Sequence, residues 1–231
     1  MMSDKIKNTF FIDIETVPCA PSYLAMPQKQ QELFDKKFKT KIKEGQDKET
    51  LFNENAALNA EFGRIVCIAM ASVYEIDGKL DFKNKIWDFH NERELIVEFF
   101  RALIALFAKY SKNLIGGHNI KEFDIPFIVR RALALGIKNI PQQLIFTNRK
   151  PWELTHIFDT LEYWKMGSYS ASISLDSLCF LFNVESPKTE MDGGDVAKVY
   201  WKEKYLEKIA NYCIEDVKAT AKVAMAMTEI F

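Results

Sequence analysis

The spacing of apolar residues along the chain predicts which segments form strands. Runs dominated by aromatic and β-branched residues at 9–16 and 65–74 predict buried strands. Asp77-Gly78 follows the second run and predicts a tight turn into residues 80–89. These two segments are therefore expected to form an antiparallel hairpin.

The order of the remaining elements predicts the fold class. Short strands are predicted at 113–118 and 156–158, and apolar residues three and four positions apart predict helices at 92–110, 120–135, 175–182, 196–201 and 206–227. A strand, a hairpin and then alternating helices and strands are typical of an α/β fold, a mixed sheet covered by helices on both faces.

The segment from about 28 to 60 differs from the rest of the chain. It is highly charged, and Phe34, Phe38 and Ile42 recur in it at helical spacing. No internal repeat or linker separates two domains. We therefore expect residues 1–231 to form a single domain with a charged helical insertion at about 28–60.

Composition restricts the class of protein. Hydrophobic residues make up 48% and charged residues 27% of the chain, and the formal net charge of -1 means that any contact with phosphate must be local. Its four cysteines include no C-x-x-C pair, which argues against a zinc site and a disulfide framework. With no signal peptide or bilayer-spanning stretch in the sequence, we expect a cytoplasmic protein that is not associated with a membrane.

Two acidic residues interrupt the first predicted strand. Side chains alternate across a strand, so Asp13 and Glu15 share one face while Phe10, Ile12 and Ile14 take the other. Two carboxylates this close together are costly unless a positive group lies between them. A divalent cation such as Mg²⁺ or Mn²⁺, which prefers oxygen ligands, meets that requirement.

Further acidic residues lie in predicted helices, where positions four apart share a face. Asn119 and Phe123 have this spacing, and Asp124 follows directly. Tyr212 and Asp216 have it as well, so one helix can direct a phenol and a carboxylate at a common point.

The predicted sheet brings these groups together. In open α/β sheets, ligands bind at the carboxyl ends of strands. Asp13 and Glu15 are expected to end one strand, and His118 and Asn119 another. Each pattern alone is common in proteins, and it is their combination that indicates a metal site.

These motifs resemble those of a known family. Asp13-Ile14-Glu15-Thr16, Asn119-x-x-x-Phe123-Asp124 and Tyr212-x-x-x-Asp216 are similar to the three motifs of the DEDD superfamily of 3′-5′ exonucleases. Its two branches differ in the third motif. Tyr212 stands four positions before the last aspartate, and Asn211 occupies the position of the other branch's histidine, so the chain resembles the tyrosine branch (DEDDy).

The similarity extends over residues 8–228. Within the superfamily, the chain most resembles stand-alone proteins related to the proofreading exonuclease domain of family B DNA polymerases, through segments 62–68, 150–153 and 191–196. The resemblance implies a ribonuclease-H-like fold with a mixed five-stranded sheet.

It also implies catalytic roles. Asp13, Glu15, Asp124 and Asp216 would hold two divalent cations, Mg²⁺ or Mn²⁺, which clamp the attacking and leaving oxygens of a phosphodiester. Tyr212 would orient the attacking water, since a phenol with an ordinary pKa near ~10 is a poor base.

Residues beside these motifs are candidates for substrate binding. Thr16, His118, Asn119 and Phe123 would hold the terminal nucleotide, with Phe123 stacking on a base. For each, an ordinary structural role is an equally good interpretation.

The implied function is removal of nucleotides from the 3′ end of single-stranded nucleic acid, with DNA as the expected substrate. RNA or short oligonucleotides are alternative substrates, because sugar recognition depends on pocket geometry. A non-catalytic nucleic-acid-binding module is the alternative of a different class.

Overall fold

Five strands form one mixed sheet in the order β3-β2-β1-β4-β5 in the computed structural model, which describes residues 4–77, 79–110, 112–187, 191 and 193–228. The strands are β1 (Thr9–Pro18), β2 (Gly63–Ile76), β3 (Lys79–Trp87), β4 (Leu114–Gly117) and β5 (Ile157–Asp159). β2 is antiparallel to both β1 and β3, whereas β4 is parallel to both β1 and β5. This sheet confirms the predicted α/β fold class.

Helices cover both faces of the sheet. They are α1 (Asp4–Lys7), α2 (Gln28–Lys37), α3 (Lys39–Lys43), α4 (Lys48–Asn55), α5 (Glu92–Lys109), α6 (Asp124–Ala134), α7 (Thr160–Lys165), α8 (Leu175–Leu181), α9 (Val196–Lys198) and α10 (Leu206–Thr228). Among these described helices, none combines the length and hydropathy needed to cross a bilayer.

The alternation of side chains in β1 divides the core in two. Ile12 and Ile14 pack in a cluster with buried residues of α5 and α6. Phe11 and Val17 pack on the other face in a cluster with α10. Burying an apolar set on each face fixes the register of β1, because a shift of one residue would exchange the two sets.

Gly116 allows β4 to lie against β1. It pairs with Phe11, and a Cβ atom at this position would lie 2.6 Å from Cγ2 of Thr9 and 2.7 Å from Cδ1 of Phe11. Such contacts are far inside van der Waals distance, so β4 and the segment that follows it approach β1 as closely as they do only with glycine here.

The charged segment 28–60 contains α2, α3 and α4. Its apolar residues form a separate cluster around the aromatic rings of Phe34, Phe52 and Phe62. The Thr16 hydroxyl donates a hydrogen bond of 2.9 Å to the carbonyl of Ala57, which joins the end of this segment to β1.

A buried ion pair joins α5, α6 and β2. The Arg131 guanidinium donates two hydrogen bonds, of 2.8 and 2.7 Å, to the Glu92 carboxylate and a third, of 2.8 Å, to the carbonyl of Ala60. The Glu92 carboxylate also accepts a hydrogen bond of 2.8 Å from the backbone N–H of Ile65. Bidentate geometry of this kind fixes the helix that begins at Asp124 relative to the sheet.

Three predictions about individual elements need correction beyond shifts of one or two residues at their ends. First, β1 continues to Pro18, so Asp13 and Glu15 lie in its interior and the expectation that they end the strand was wrong. Second, the helix expected at 120–135 begins only at Asp124, because residues 120–123 form a turn that follows Asn119, whose φ of 59° is left-handed. Third, the helix expected at 196–201 is α9 followed by a wider π-helical turn at Val199–Glu203.

The predicted hairpin of β2 and β3 is confirmed, although Gly78 of its turn lies outside the described residues.

Candidate active site

The acidic residues of β1 form the base of the candidate site. Asp13 is half-buried, and Glu15 is buried with 8% of its surface exposed. Ligand atoms of Asp13, Glu15 and Cys213 lie within 4.8 Å of one another. No hydrogen bond or ion pair joins the Glu15 carboxylate to any residue that the structure describes.

Cys213 on α10 holds Asp13 in position. Its sulfur lies 3.5 Å from Oδ2 of Asp13 and 3.5 Å from the Asp13 carbonyl oxygen. Burial is the main reason that the pKa of this thiol is raised well above its ordinary value, so the S–H remains a donor to the carboxylate.

Asp124 reaches the same region from α6. Its Oδ1 accepts a hydrogen bond of 3.1 Å from the backbone N–H of Ile14. Within the described residues, the pairing of β1 with β4 stops at Phe11, so this N–H has no strand partner on that side. The carboxylate therefore satisfies the backbone of β1, and its charge acts on both Asp13 and Glu15.

Tyr212 and Asp216 face the site from α10. Together with Asp13 and His118 they line a cleft of about 200 Å³. Burial is the largest cause that raises the pKa of the Tyr212 hydroxyl, followed by the charges of Asp216 and Glu15 and a hydrogen bond with Asp216. The phenol is therefore protonated at neutral pH.

Burial and mutual repulsion raise the pKa values of the carboxyl groups. The pKa of Asp13 is raised well above its ordinary value by burial and then by the charges of Asp124, Asp216 and Glu15. Burial and the charges of Asp216 and Asp124 act in the same way on Glu15. Burial raises the pKa of Asp124 to about 7, although hydrogen bonds from backbone N–H groups oppose the change.

These observations fit a site for divalent cations. The oxygens of Asp13, Glu15, Asp124 and Asp216 are ligands of the kind that Mg²⁺ and Mn²⁺ prefer. The groups repel one another, and Glu15 is buried without a partner among the described residues. The pKa values of Asp13, Glu15 and Asp124 are raised, and bound cations would favour their ionised forms by balancing the charge.

The candidate substrate-binding residues have different surroundings. His118 lines the cleft, and both of its ring nitrogens are engaged, one at 2.9 Å from Thr160 Oγ1 and the other at 3.1 Å from the carbonyl of Ile173. Burial lowers its pKa, which favours a neutral imidazole. The Thr16 hydroxyl already donates its hydrogen bond to the carbonyl of Ala57, so it is not free to donate one to a substrate.

Asn119 and Phe123 lie in the turn that leads into α6. Phe123 is half-buried, and its ring packs against Phe127 with 5.5 Å between centroids. The expectation that both residues lie on a helix was wrong, because α6 begins after them.

Asp159 shapes this turn from the end of β5. Its carboxylate accepts hydrogen bonds from the backbone N–H groups of Asn119 and Lys121, at 2.9 and 3.0 Å, and caps α7 through Leu161 at 2.9 Å. The sequence predicts the cap, since an aspartate before a helix is typical of one. The two longer-range bonds depend on the parallel pairing of β4 and β5.

Sequence reasoning missed other residues of the cleft. Leu175, Asp176 and Pro187 line it, and Cys213 contacts Asp13. Asp176 follows the helix cap Ser174, which makes it indistinguishable in sequence from an ordinary acid in a first helical turn. Asp192, which we interpret as a turn acid, lies outside the described residues.

Comparison with known proteins identifies the family. A family model described as a predicted 3′-5′ exonuclease related to the exonuclease domain of PolB matches residues 55–229. The chain belongs to this family. The matched range of this PolB-related exonuclease family includes Asp124, Tyr212 and Asp216, whereas Asp13 and Glu15 precede it.

A solved structure shows the same fold. The family B DNA polymerase from the hyperthermophilic archaeon Pyrobaculum calidifontis is similar to 94% of this chain, with a TM-score of 0.56 and 17% sequence identity. The similar region is 24% of that polymerase, so the chain spans about a quarter of its length. A comparison with curated proteins gave no significant match.

Proposed function

We propose that this member of the PolB-related exonuclease family hydrolyses phosphodiester bonds from the 3′ end of single-stranded nucleic acid, with DNA as the preferred substrate. The observation that carries the proposal is the clustering of carboxylates from three elements. Asp13 of β1 and Asp216 of α10 line one small cleft, and the charge of Asp124 of α6 acts on Asp13. We take residues 1–231 as one exonuclease domain with an insertion at about 28–60.

The acidic residues would serve as cation ligands. Two Mg²⁺ or Mn²⁺ ions held by Asp13, Glu15, Asp124 and Asp216 would supply the Lewis acidity that phosphodiester hydrolysis requires. The protein contributes preorganisation, because the Ile14 N–H holds Asp124. A scaffold that only bound nucleic acid would gain nothing from a cluster of carboxylates that repels phosphate.

Tyr212 would position the attacking water. Its protonated hydroxyl is held by Asp216 and lines the same cleft as Asp13. Such a phenol cannot remove a proton at neutral pH, but it directs a water molecule by hydrogen bonding. The neutral His118 ring, fixed by Thr160 and Ile173, forms another wall of the cleft without adding charge.

Labelled oligonucleotides test the activity and its direction. With Mn²⁺, we expect a 5′-labelled single-stranded DNA to give a ladder that shortens with time and a 3′-labelled DNA to release labelled mononucleotide at once. EDTA should abolish both reactions. Asp13→Asn should lower the rate by about a hundredfold to a thousandfold, the range seen when one preorganised electrostatic group is removed.

The control is Asp88→Asn, which removes an exposed acid outside the cleft and should leave the rate unchanged. Equal digestion by wild type and Asp13→Asn would identify a contaminating nuclease. Binding of the oligonucleotide without any digestion would favour the non-catalytic module. The same assay with RNA and with very short oligonucleotides determines the substrate class.

A further inference from the structure

A second and larger cavity lies on the opposite face of the sheet from the acidic cluster. It is a groove of about 830 Å³ between the sheet and the C-terminal half of α5. Phe10 contributes to its floor and packs with the α5 side of the core, whereas Asp13 in the same strand faces α10. The groove has the volume of a typical small-molecule site, and it is separate from the candidate active site.

The sequence of α5 explains why this space exists. Large residues such as Phe99 and Leu103 fill the core beneath the first part of the helix. Where the helix borders the groove it presents Ala102 and Ala105 instead. Small side chains at these positions leave the sheet surface uncovered.

The charged residues that line the groove are all basic. Lys7, Lys83, Lys85 and Lys109 line it, and no acidic residue does so among those that the structure describes. Lys7 lies 3.9 Å from Asp4, whereas the other three lysines form no ion pair with a described residue. Clustered ammonium groups of this kind favour an anionic ligand.

The remaining walls include aromatic side chains as well as the polar residues Asn8, Ser72 and Asn84. Phe10, Tyr74 and Tyr110 line the groove beside the lysines. Aromatic side chains stack on nucleobases with little dependence on the base. A simple inorganic anion would leave this surface and most of the volume unused.

We propose that this groove binds a nucleotide, with its phosphate at the lysines and its base against the aromatic side chains. The nucleotide is either free or part of a nucleic-acid strand. This site does not depend on the proposed exonuclease activity, because none of its residues belongs to the acidic cluster.

Binding of adenosine diphosphate, measured by calorimetry in EDTA, tests the proposal. EDTA removes divalent cations, so the acidic cluster repels the ligand and contributes no signal. The test variant is Lys83→Glu/Lys109→Glu, whose side chains are exposed and form no ion pair with a described residue. The matched control, Lys39→Glu/Lys79→Glu, makes the same change in net charge outside the groove.

We expect the groove variant to bind at least about tenfold more weakly than wild type and the control to bind within about twofold. If a short oligonucleotide shows these differences and adenosine diphosphate does not, the nucleotide belongs to a strand. Equal binding by the two double variants, absence of binding to wild type, or equal affinity for inorganic phosphate alone would overturn the proposal.

Discussion

Glu15 is the residue whose position is least explained by folding. It lies in the interior of β1 with 8% of its surface exposed, surrounded by apolar neighbours, and no described residue pairs with its carboxylate. Burying an unpaired carboxylate opposes folding, and an apolar or amide side chain would fit the same strand at lower cost. Its presence is understandable if the folded protein binds a cation there.

Glu15→Gln should therefore stabilise the metal-free protein. In EDTA at pH 8 we expect its free energy of unfolding to exceed that of wild type by on the order of 1 kcal/mol, because the change removes one buried charge of a repelling set. Chemical unfolding with urea measures the difference. A variant that is less stable than wild type under these conditions would contradict this account of Glu15.

The difference in unfolding free energy between wild type and Glu15→Gln should depend on pH. The pKa of Glu15 is raised by burial, and that of Asp124 is raised to about 7. Protonation therefore favours the folded state, and the stability of the metal-free wild type should rise as the pH falls from 8 through 7 toward 5.5. The advantage of Glu15→Gln should shrink over that range, and an advantage that grows instead would contradict the sign.

Tyr212→Phe separates water positioning from metal binding. The ring remains, but the hydroxyl that Asp216 holds is lost. We expect kcat to fall by on the order of tenfold to a hundredfold, the cost of misplacing a reacting group, while Mn²⁺ affinity stays near that of wild type. A variant that retains full kcat would show that the phenol has no part in the reaction.

The elements that carry the site differ in how well the sequence predicts them. The apolar face of α10 and the β-branched run of β1 are long, regular patterns, so Asp13, Glu15, Tyr212 and Asp216 could be assigned to the correct elements. The start of α6 was predicted four residues too early, because nothing local in the sequence reveals that residues 120–123 form a turn after the left-handed Asn119.

Contacts between elements explain what sequence reasoning missed. The bond from the Ile14 N–H to Asp124 exists because β4 stops short of that position, and Cys213 reaches Asp13 because α10 packs across β1. Both depend on strand ends and helix placement, which local patterns do not encode. The sequence alone indicated which residues belong to the candidate site, but it did not indicate which residues contact one another there.

The ion pair of Arg131 and Glu92 tests how α6 is held. Arg131→Leu should lower the free energy of unfolding by about 3 to 5 kcal/mol, since it leaves a buried carboxylate unpaired. The matched control is Arg130→Leu, one residue away and exposed. Glu92→Leu/Arg131→Leu should recover part of the loss, and an Arg131→Leu variant as stable as the Arg130→Leu control would contradict the role of the pair.

At the scale of the whole molecule, the sheet order brings separate parts of the chain to one place. β1 lies between β2 and β4, with α10 on one face and α5 and α6 on the other. This central position lets β1 supply two carboxylates while the other two arrive from both sides. The same fold occurs in a family B DNA polymerase at 17% identity.

The most direct test of the central claim is a titration of the purified protein with Mn²⁺, followed by the electron paramagnetic resonance signal of the free ion. Wild type and the control Asp88→Asn should each bind about two ions per chain, the number that a two-metal site holds. Asp13→Asn/Asp216→Asn should lose this saturable binding while remaining folded by circular dichroism. Absence of saturable binding by wild type, or unchanged binding by the double variant, would contradict the assignment of these carboxylates as a metal site.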